Sequence, residues 1–242
     1  LTINRPSTTY IGLFGRANGA SIRNLNVTNN NITGKEYTGS LVGYANSTTI
    51  DNSSASGSVT GYYFVGGLVG YPYSSPIRNS YSTASVVGSL YYIGGLVGYL
   101  NYSTIHNSYS IGNVTTLNSI YASYVGGLVG YKGNSITITN SFYDTTTSGK
   151  SDTGKGTGKT TSQMKTLGTF TNWDFNDTWG IDTSGTINGG YPYSKNASRA
   201  ESLVTLHNLD DDVNVTVDVS SSNTSEATVS PATLTFTPNN WN

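Results

Sequence analysis

One short string recurs along this chain and limits its fold more than any other feature. Gly12-Leu13-Phe14-Gly15, Ser40-Leu41-Val42-Gly43, Gly67-Leu68-Val69-Gly70, Gly95-Leu96-Val97-Gly98 and Gly127-Leu128-Val129-Gly130 are copies of one unit, with leucines 28, 27, 28 and 32 residues apart. Nine or ten residues after each leucine stands Ile22, Ile50, Ile77, Ile105 or Ile138, and nine or ten further on Ile32, Val59, Val86 or Val114. Three evenly spaced apolar anchors per repeat predict three short strands separated by turns. A period this regular is the mark of a repeat architecture.

A strand of four or five residues cannot bury its face alone. If each repeat makes one triangular circuit, equivalent strands stack as parallel sheets about 4.8 Å apart, and leucine lies over leucine. The predicted fold is therefore all-β: a right-handed parallel β-helix of about five coils. A β-propeller is the rival, but its blades need about 40–45 residues each. An all-helical fold is excluded by composition, with 29 glycines and only 10% charged residues. Disorder is disfavoured by 12% aromatic content, 19 residues of it tyrosine.

Further columns run beside the leucines. Two residues after each isoleucine is an asparagine (Asn24, Asn52, Asn79, Asn107, Asn140), placed to bond along the axis at a turn. Tyr44, Tyr71, Tyr99 and Tyr131 follow the unit's last glycine, with Arg16 in the first copy. Tyr81, Tyr109 and Phe142 sit four residues after their isoleucines.

The repeats stop near Asp144, so residues 1–144 form the solenoid and 145–195 its terminal cap. Residues 145–160 are polar and of low complexity and predict a loop. Thr160 to Gln163 then carry a capping-box signal, with Met164, Leu167 and Phe170 spaced three apart, and Trp173, Phe175 and Trp179 following. A solenoid end exposes an apolar cross-section, which this aromatic segment is expected to cover. From 196 to 242 the pattern alternates. Ser202–Leu206, Val213–Val219, Ala227–Val229 and Thr233–Thr237 predict antiparallel strands of a partial β-sandwich. Because the chain opens on Leu1 mid-repeat and closes mid-sandwich, we expect it to be a piece of a longer or processed protein.

The five Gly-Leu-Val-Gly units resemble the GLUG repeats of bacterial and archaeal secreted or surface proteins. The stretch GTGKTTSQMKTLGTFTNWDFNDTWGID and the Tyr191-Pro192-Tyr193 that follows are similar to the segment closing such arrays. Residues 201–242 resemble the immunoglobulin-like and Calx-beta-like modules of large adhesins. The resemblance implies an extracellular, adhesive or structural role, and it supplies no catalytic residues.

Chemistry read from the residues is sparse. There is no cysteine, so disulfides and thiolate sites are excluded. A net charge of -1 gives no footprint for nucleic acid, and no stretch is apolar enough to span a bilayer as a helix. A sugar-cleaving β-helix enzyme needs paired carboxylates. Residues 1–143 hold only Glu36 and Asp51, at different repeat positions. Asp174, Asp177 and Asp182 fit loop capping better than catalysis. Gly154–Thr160 fails as a phosphate loop because Thr153 stands where that pattern needs glycine. His106 and His207 have no evident partner.

Three candidates remain. Asp210-Asp211-Asp212 could bind calcium, with a solvated hairpin turn as the alternative. The column Tyr44, Tyr71, Tyr99 and Tyr131 could stack on a glycan, or on itself. Ten sequons, at Asn26, Asn31, Asn46, Asn52, Asn101, Asn113, Asn176, Asn196, Asn214 and Asn223, permit glycosylation. The expected function is a non-enzymatic extracellular or cell-surface module without an obligatory cofactor: a rigid spacer, joined end to end by strand complementation with other copies or adjacent domains. A glycan-binding surface is the first alternative, and a polysaccharide-degrading enzyme the second.

Overall fold

The computed structural model describes residues 1–195 and the backbone of two further strands, Val215–Asp218 and Thr233–Phe236. Four parallel sheets run side by side along one axis and form a β-solenoid of about five coils. One wall stacks Phe14–Asn18, Val42–Asn46, Val69–Tyr73, Val97–Leu100 and Val129–Lys132. The next stacks Ser21–Arg23, Thr49–Asp51, Ile77–Arg78, Thr104–His106 and Thr137–Thr139. A long wall follows, built on Asn26–Thr33 and Ser54–Gly61, and strand Thr2–Asn4 pairs below it.

The circuit is not the predicted triangle. A fourth wall, Glu36–Gly39, Tyr63–Gly66, Ile93–Gly94 and Val125–Gly126, returns the chain to the leucine. Its inward residues Thr38, Val65, Ile93 and Val125 are a fourth anchor, three residues before Leu41, Leu68, Leu96 and Leu128. They were hidden because the first wall follows after only two residues.

Register is kept from coil to coil, with one shift in the long wall between Val27 and Asn30. Ile22 aligns with Ile50, Ile77, Ile105 and Ile138, and Ile32 with Val59, Val86 and Val114. The leucine file is tied by its own backbone, Leu41 N donating to Leu68 O (3.0 Å), Leu68 N to Leu96 O (3.0 Å) and Leu96 N to Leu128 O (2.9 Å). Leu41, Leu68, Leu96 and Leu128 are fully buried. The interior divides into two apolar columns, one around the leucines and isoleucines, the other around Ile32, Val59, Val65, Val86 and Ile93.

Glycine explains the division. A Cβ on Gly66 would lie 2.0 Å from Val69 O, and one on Gly70 2.6 Å from Gly43 O and 2.7 Å from Phe64 O. The fourth wall therefore lies backbone-on-backbone against the first, an approach that only a residue without a side chain allows.

The asparagine column is real, but its ladder is not the predicted one. Asn52 Nδ2 donates to Asn24 Oδ1 (2.6 Å), yet Asn79 Nδ2 turns to Asp51 Oδ1 (3.1 Å). What repeats is the backbone: Asn24, Asn52, Asn79, Asn107 and Asn140 all take φ between 46° and 55°. Asparagine tolerates this left-handed conformation better than most residues. The ladder belongs to the following serines. Ser53 N donates to Ser80 Oγ (3.1 Å), Ser80 N to Ser108 Oγ (3.2 Å) and Ser108 N to Ser141 Oγ (3.2 Å). A second file, Thr48, Ser75 and Ser103, serves the preceding corner. Each hydroxyl satisfies a buried amide where the sheets break.

The cap also differs from expectation, and its two halves exchange roles. The polar stretch covers the end of the solenoid. Thr157–Lys159 adds a strand to the long wall beside Phe142–Asp144. Lys155 Nζ donates to Ser123 O (3.0 Å), Val125 O (3.0 Å) and Gly130 O (2.9 Å), while Gly127 N donates to Asp152 Oδ1 (2.8 Å). The aromatic stretch instead runs back down the outside as a strap. It opens on the predicted capping box, Thr160 to Gln163. Met164, Phe170, Trp173, Trp179 and Tyr191 then bury against Tyr109 and Phe142 on the outer face of the long wall, leaving Leu167 exposed. Trp173 Nε1 donates to Asn140 O (2.9 Å) at the fifth coil, and Ser194 Oγ reaches Asn52 Oδ1 at the second.

In the C-terminal stretch, Val215–Asp218 and Thr233–Phe236 pair antiparallel, matching two of the predicted strands. Ser202–Leu206, Ala227–Val229 and the sandwich as a whole lie outside the described residues, as do His207 and Asp210, Asp211 and Asp212.

Candidate functional site

The most unusual surface of the molecule is aromatic and spans the edge between the fourth wall and the first. Tyr44, Tyr71, Tyr99 and Tyr131 stand in one column, in register across the first wall. Neighbouring ring centroids are 5.4 Å (Tyr44–Tyr71), 4.9 Å (Tyr71–Tyr99) and 5.7 Å (Tyr99–Tyr131) apart. Beside them runs a column missed in the sequence: Tyr10, Tyr37, Phe64 and Tyr92, with φ of 62°, 52°, 57° and 66°. Bulky side chains rarely adopt such angles. Here the stack holds them, with Tyr10–Tyr37 rings 4.8 Å apart and Tyr37–Phe64 4.6 Å apart, nearly parallel. The spacing equals the rise between strands. A signal existed in the sequence, because Tyr37, Phe64, Tyr92 and Tyr124 each lie four residues before a repeat leucine.

The two columns interlock. Tyr37 stacks on Tyr71 at 5.9 Å and Tyr92 on Tyr99 at 5.1 Å. Arg16 begins the first column and places its guanidinium 3.6 Å from the Tyr10 ring centre, a cation–π contact that closes the lower end. Inner ring faces are thus largely covered by other rings, and solvent meets edges and hydroxyls. Tyr131, at the upper end, is 37% exposed. Desolvation is the leading reason that the phenols of Tyr37, Tyr44, Tyr92 and Tyr99 titrate above the ordinary tyrosine range.

A third, shorter file is Glu36, Tyr63 and Tyr91. Glu36 and Tyr63 are in register on the fourth wall. The Tyr63 hydroxyl donates to Glu36 Oε1 at 2.5 Å, and its ring stacks on Tyr91 at 5.4 Å. The bond to Glu36, foremost, pushes the Tyr63 phenol up to about 12.

The remaining candidates are accounted for locally. Glu36 and Asp51 lie on different walls. Asp174 accepts from Asn176 N, Asp177 N and Thr178 Oγ1, and Asp182 from Ser184 and Ile187 N, so both cap loops. Lys155 in the glycine-rich run is committed to three carbonyls. His106 does have a partner, Thr139 Oγ1 in the next coil, 2.7 Å from Nδ1. Among the described residues no three His, Cys, Asp or Glu gather as metal ligands.

The sequons separate by burial. Asn31, Asn113 and Asn176 are exposed, and Asn26 and Asn46 half-buried. Asn52 and Asn101 must be withdrawn. Both are buried, and their amide nitrogens donate to Asn24 Oδ1 and to the Tyr71 hydroxyl (3.1 Å), leaving no room for a glycan. Asn196, Asn214 and Asn223 lie outside the described side chains.

Comparison with known proteins places these coils. Residues 34–60 and 89–115 match the GLUG motif, so the chain carries GLUG repeats, each match covering about one coil. A stretch of 67 residues, 26% of this chain, is 51% identical to a protein of Evansella cellulosilytica named "Putative Gly-rich membrane protein". That stretch spans 8% of the relative's length. No helix among the described residues is long and apolar enough to cross a membrane.

Proposed function

We propose that this chain is a non-catalytic structural module of a prokaryotic cell surface, exposed outside the cell, whose coils form a stiff prong. The observation that carries this reading is the stacking of four parallel walls over about five coils, in register apart from one shift in the long wall between Val27 and Asn30. Repeated contacts of this kind resist bending because every layer braces the next. The name of the relative and the GLUG repeats support an envelope setting.

The strap alters the expected in-line spacer. The chain enters below the first coil and, after Ser194, leaves beside the second. Coils three to five therefore stand off the path between the two ends of the described body. End-to-end strand complementation is also restricted, because Lys155, Asp152 and Thr157–Lys159 occupy much of the upper end. Adhesion or assembly would use the lower edge or the aromatic side.

Coil insertion tests the prong. Three extra copies of residues 34–60 placed after Thr33, below the strap's reach, should lengthen the particle by about 14 Å in solution scattering, one strand spacing per coil. An unchanged maximum dimension would overturn the reading. The exposed hydroxyl-tipped rings favour one second reading, glycan binding on the aromatic face. A glycan array comparing the wild type with Tyr71→Ala/Tyr99→Ala decides it, and absent or unaltered binding removes it.

A further inference from the structure

We propose that Glu36, Tyr63 and Tyr91 form an oxidative cross-linking site, at which two tyrosine rings of adjacent coils become joined by a carbon–carbon bond. The substrate is an extracellular one-electron oxidant, of the class produced by a haem peroxidase with hydrogen peroxide. The inference is independent of the prong reading, since it concerns the chemistry of one face.

Three observations converge. Removing an electron from a neutral phenol is eased when its proton can leave at the same time, which requires an acceptor already hydrogen-bonded to it. On the aromatic face Tyr63 has one, with Glu36 Oε1 2.5 Å from its hydroxyl. Glu36 is held in place by its strand and by Lys35 Nζ at 3.6 Å, and its side chain keeps 17% exposure. Tyr191 also donates to a carboxylate, Asp144 at 2.8 Å, but it is buried beneath the strap, away from any oxidant. Second, a coupling partner is waiting: the Tyr91 ring is 5.4 Å from Tyr63, and both are half-exposed. Third, the chain has no cysteine, so disulfides cannot bind one coil to the next.

The step balances. Tyr63 gives one electron to the oxidant and its phenolic proton to Glu36, and a second oxidising equivalent does the same to Tyr91, whose proton goes to water. The two radicals pair through ring carbons ortho to the hydroxyls. Both ortho hydrogens then leave as protons while the rings regain their phenols. Overall, two phenols and one hydrogen peroxide give one bityrosine and two waters.

The test uses the full chain with hydrogen peroxide and a haem peroxidase. Trypsin cutting after Lys35, Arg78 and Lys132 releases residues 36–78 with Tyr63 and 79–132 with Tyr91. Tyr71–Tyr99 and Tyr73–Tyr102 are also neighbours across these fragments, so the parent carries Tyr71→Phe and Tyr73→Phe, which keep the rings. In that parent the two fragments should emerge joined, two hydrogens lighter than their sum, in monomeric protein. Adding Tyr63→Phe should abolish the junction without disturbing the stack, and Glu36→Gln should slow it about tenfold or more. Joining at an unchanged rate in Glu36→Gln, a link at another pair, equal yield in urea-unfolded chain, or dimers alone would overturn the proposal.

Discussion

The coils and the strap solve the same problem of covering apolar surface by opposite means. In the coils each contact is repeated. Ile50 lies on Ile22 and Ile77, Ser80 bonds Ser53, and every layer offers the next the same surface. In the strap nothing repeats. Asp144 accepts from Thr146 N, Thr147 N, Thr161 Oγ1 and Tyr191 Oη, and one such residue fastens the whole segment. A repeated structure spreads the cost of a defect over neighbouring layers, whereas a unique one concentrates it. The two regions should therefore fail differently.

The largest effect is expected in the strap. Trp179 is fully buried, its ring 4.4 Å from Trp173 and 6.0 Å from both Tyr81 and Tyr109. Trp179→Ala should cost about 3–5 kcal/mol and release residues 161–195 while the lower coils keep their protection. Hydrogen exchange followed by mass spectrometry separates the regions, and loss of protection everywhere at once would break the contrast. In the coils, Leu68→Ala should cost about 2–5 kcal/mol by urea unfolding. Leu13→Ala should cost less, because Leu13 is partly buried at the lower end and has a layer on one side only.

Legibility followed the same division. The leucine, isoleucine and valine files could be read directly, since stacking identical residues is what the period encodes. The fourth wall could not, because Gly66 and Gly70 let two walls lie so close that no separate turn marks the corner. The serine ladder was written as Asn52-Ser53, Asn79-Ser80, Asn107-Ser108 and Asn140-Ser141, but its bonds join a backbone amide to a hydroxyl one coil away, a pairing that side-chain pattern alone does not mark. The end cover and the strap were exchanged because composition favours apolar residues as a lid. Lys155 instead closes the end with three charge-assisted hydrogen bonds to carbonyls that the next coil would have used. The site at Glu36 and Tyr63 was invisible for a related reason. Residues 27 positions apart meet only once the circuit is known.

A smaller change isolates the ladder. Ser80→Ala removes the acceptor for Ser53 N and the donor to Arg78 O (2.6 Å), leaving a buried amide unpaired. The expected loss is about 1–3 kcal/mol. Ser53 N should gain exchange before its neighbours. Uniform acceleration along the coil would show that the hydroxyls merely fill space.

Acid gives the gentlest separation of the two regions. Residues 1–143 hold only two acids, whereas the strap depends on Asp174 and Asp182 as loop caps. Hydrogen bonds from Ser184, foremost, and from Ile187 N hold the Asp182 carboxyl down at about 2, and those from Asp177 N and Thr178 lower Asp174. A carboxyl depressed in the folded state adds stability above its unfolded value of 3.8, and loses it as pH falls towards about 2. Both groups are exposed, so the effect is local and reversible. Between about pH 4 and 2 the fluorescence of Trp173 and Trp179 should shift as the strap loosens, while the far-ultraviolet β signal of the coils holds. Asp182→Asn should remove the part of that shift due to this loop. A strap that stays closed through this range, or coils that melt with it, would mean that the two regions share one cooperative unit after all.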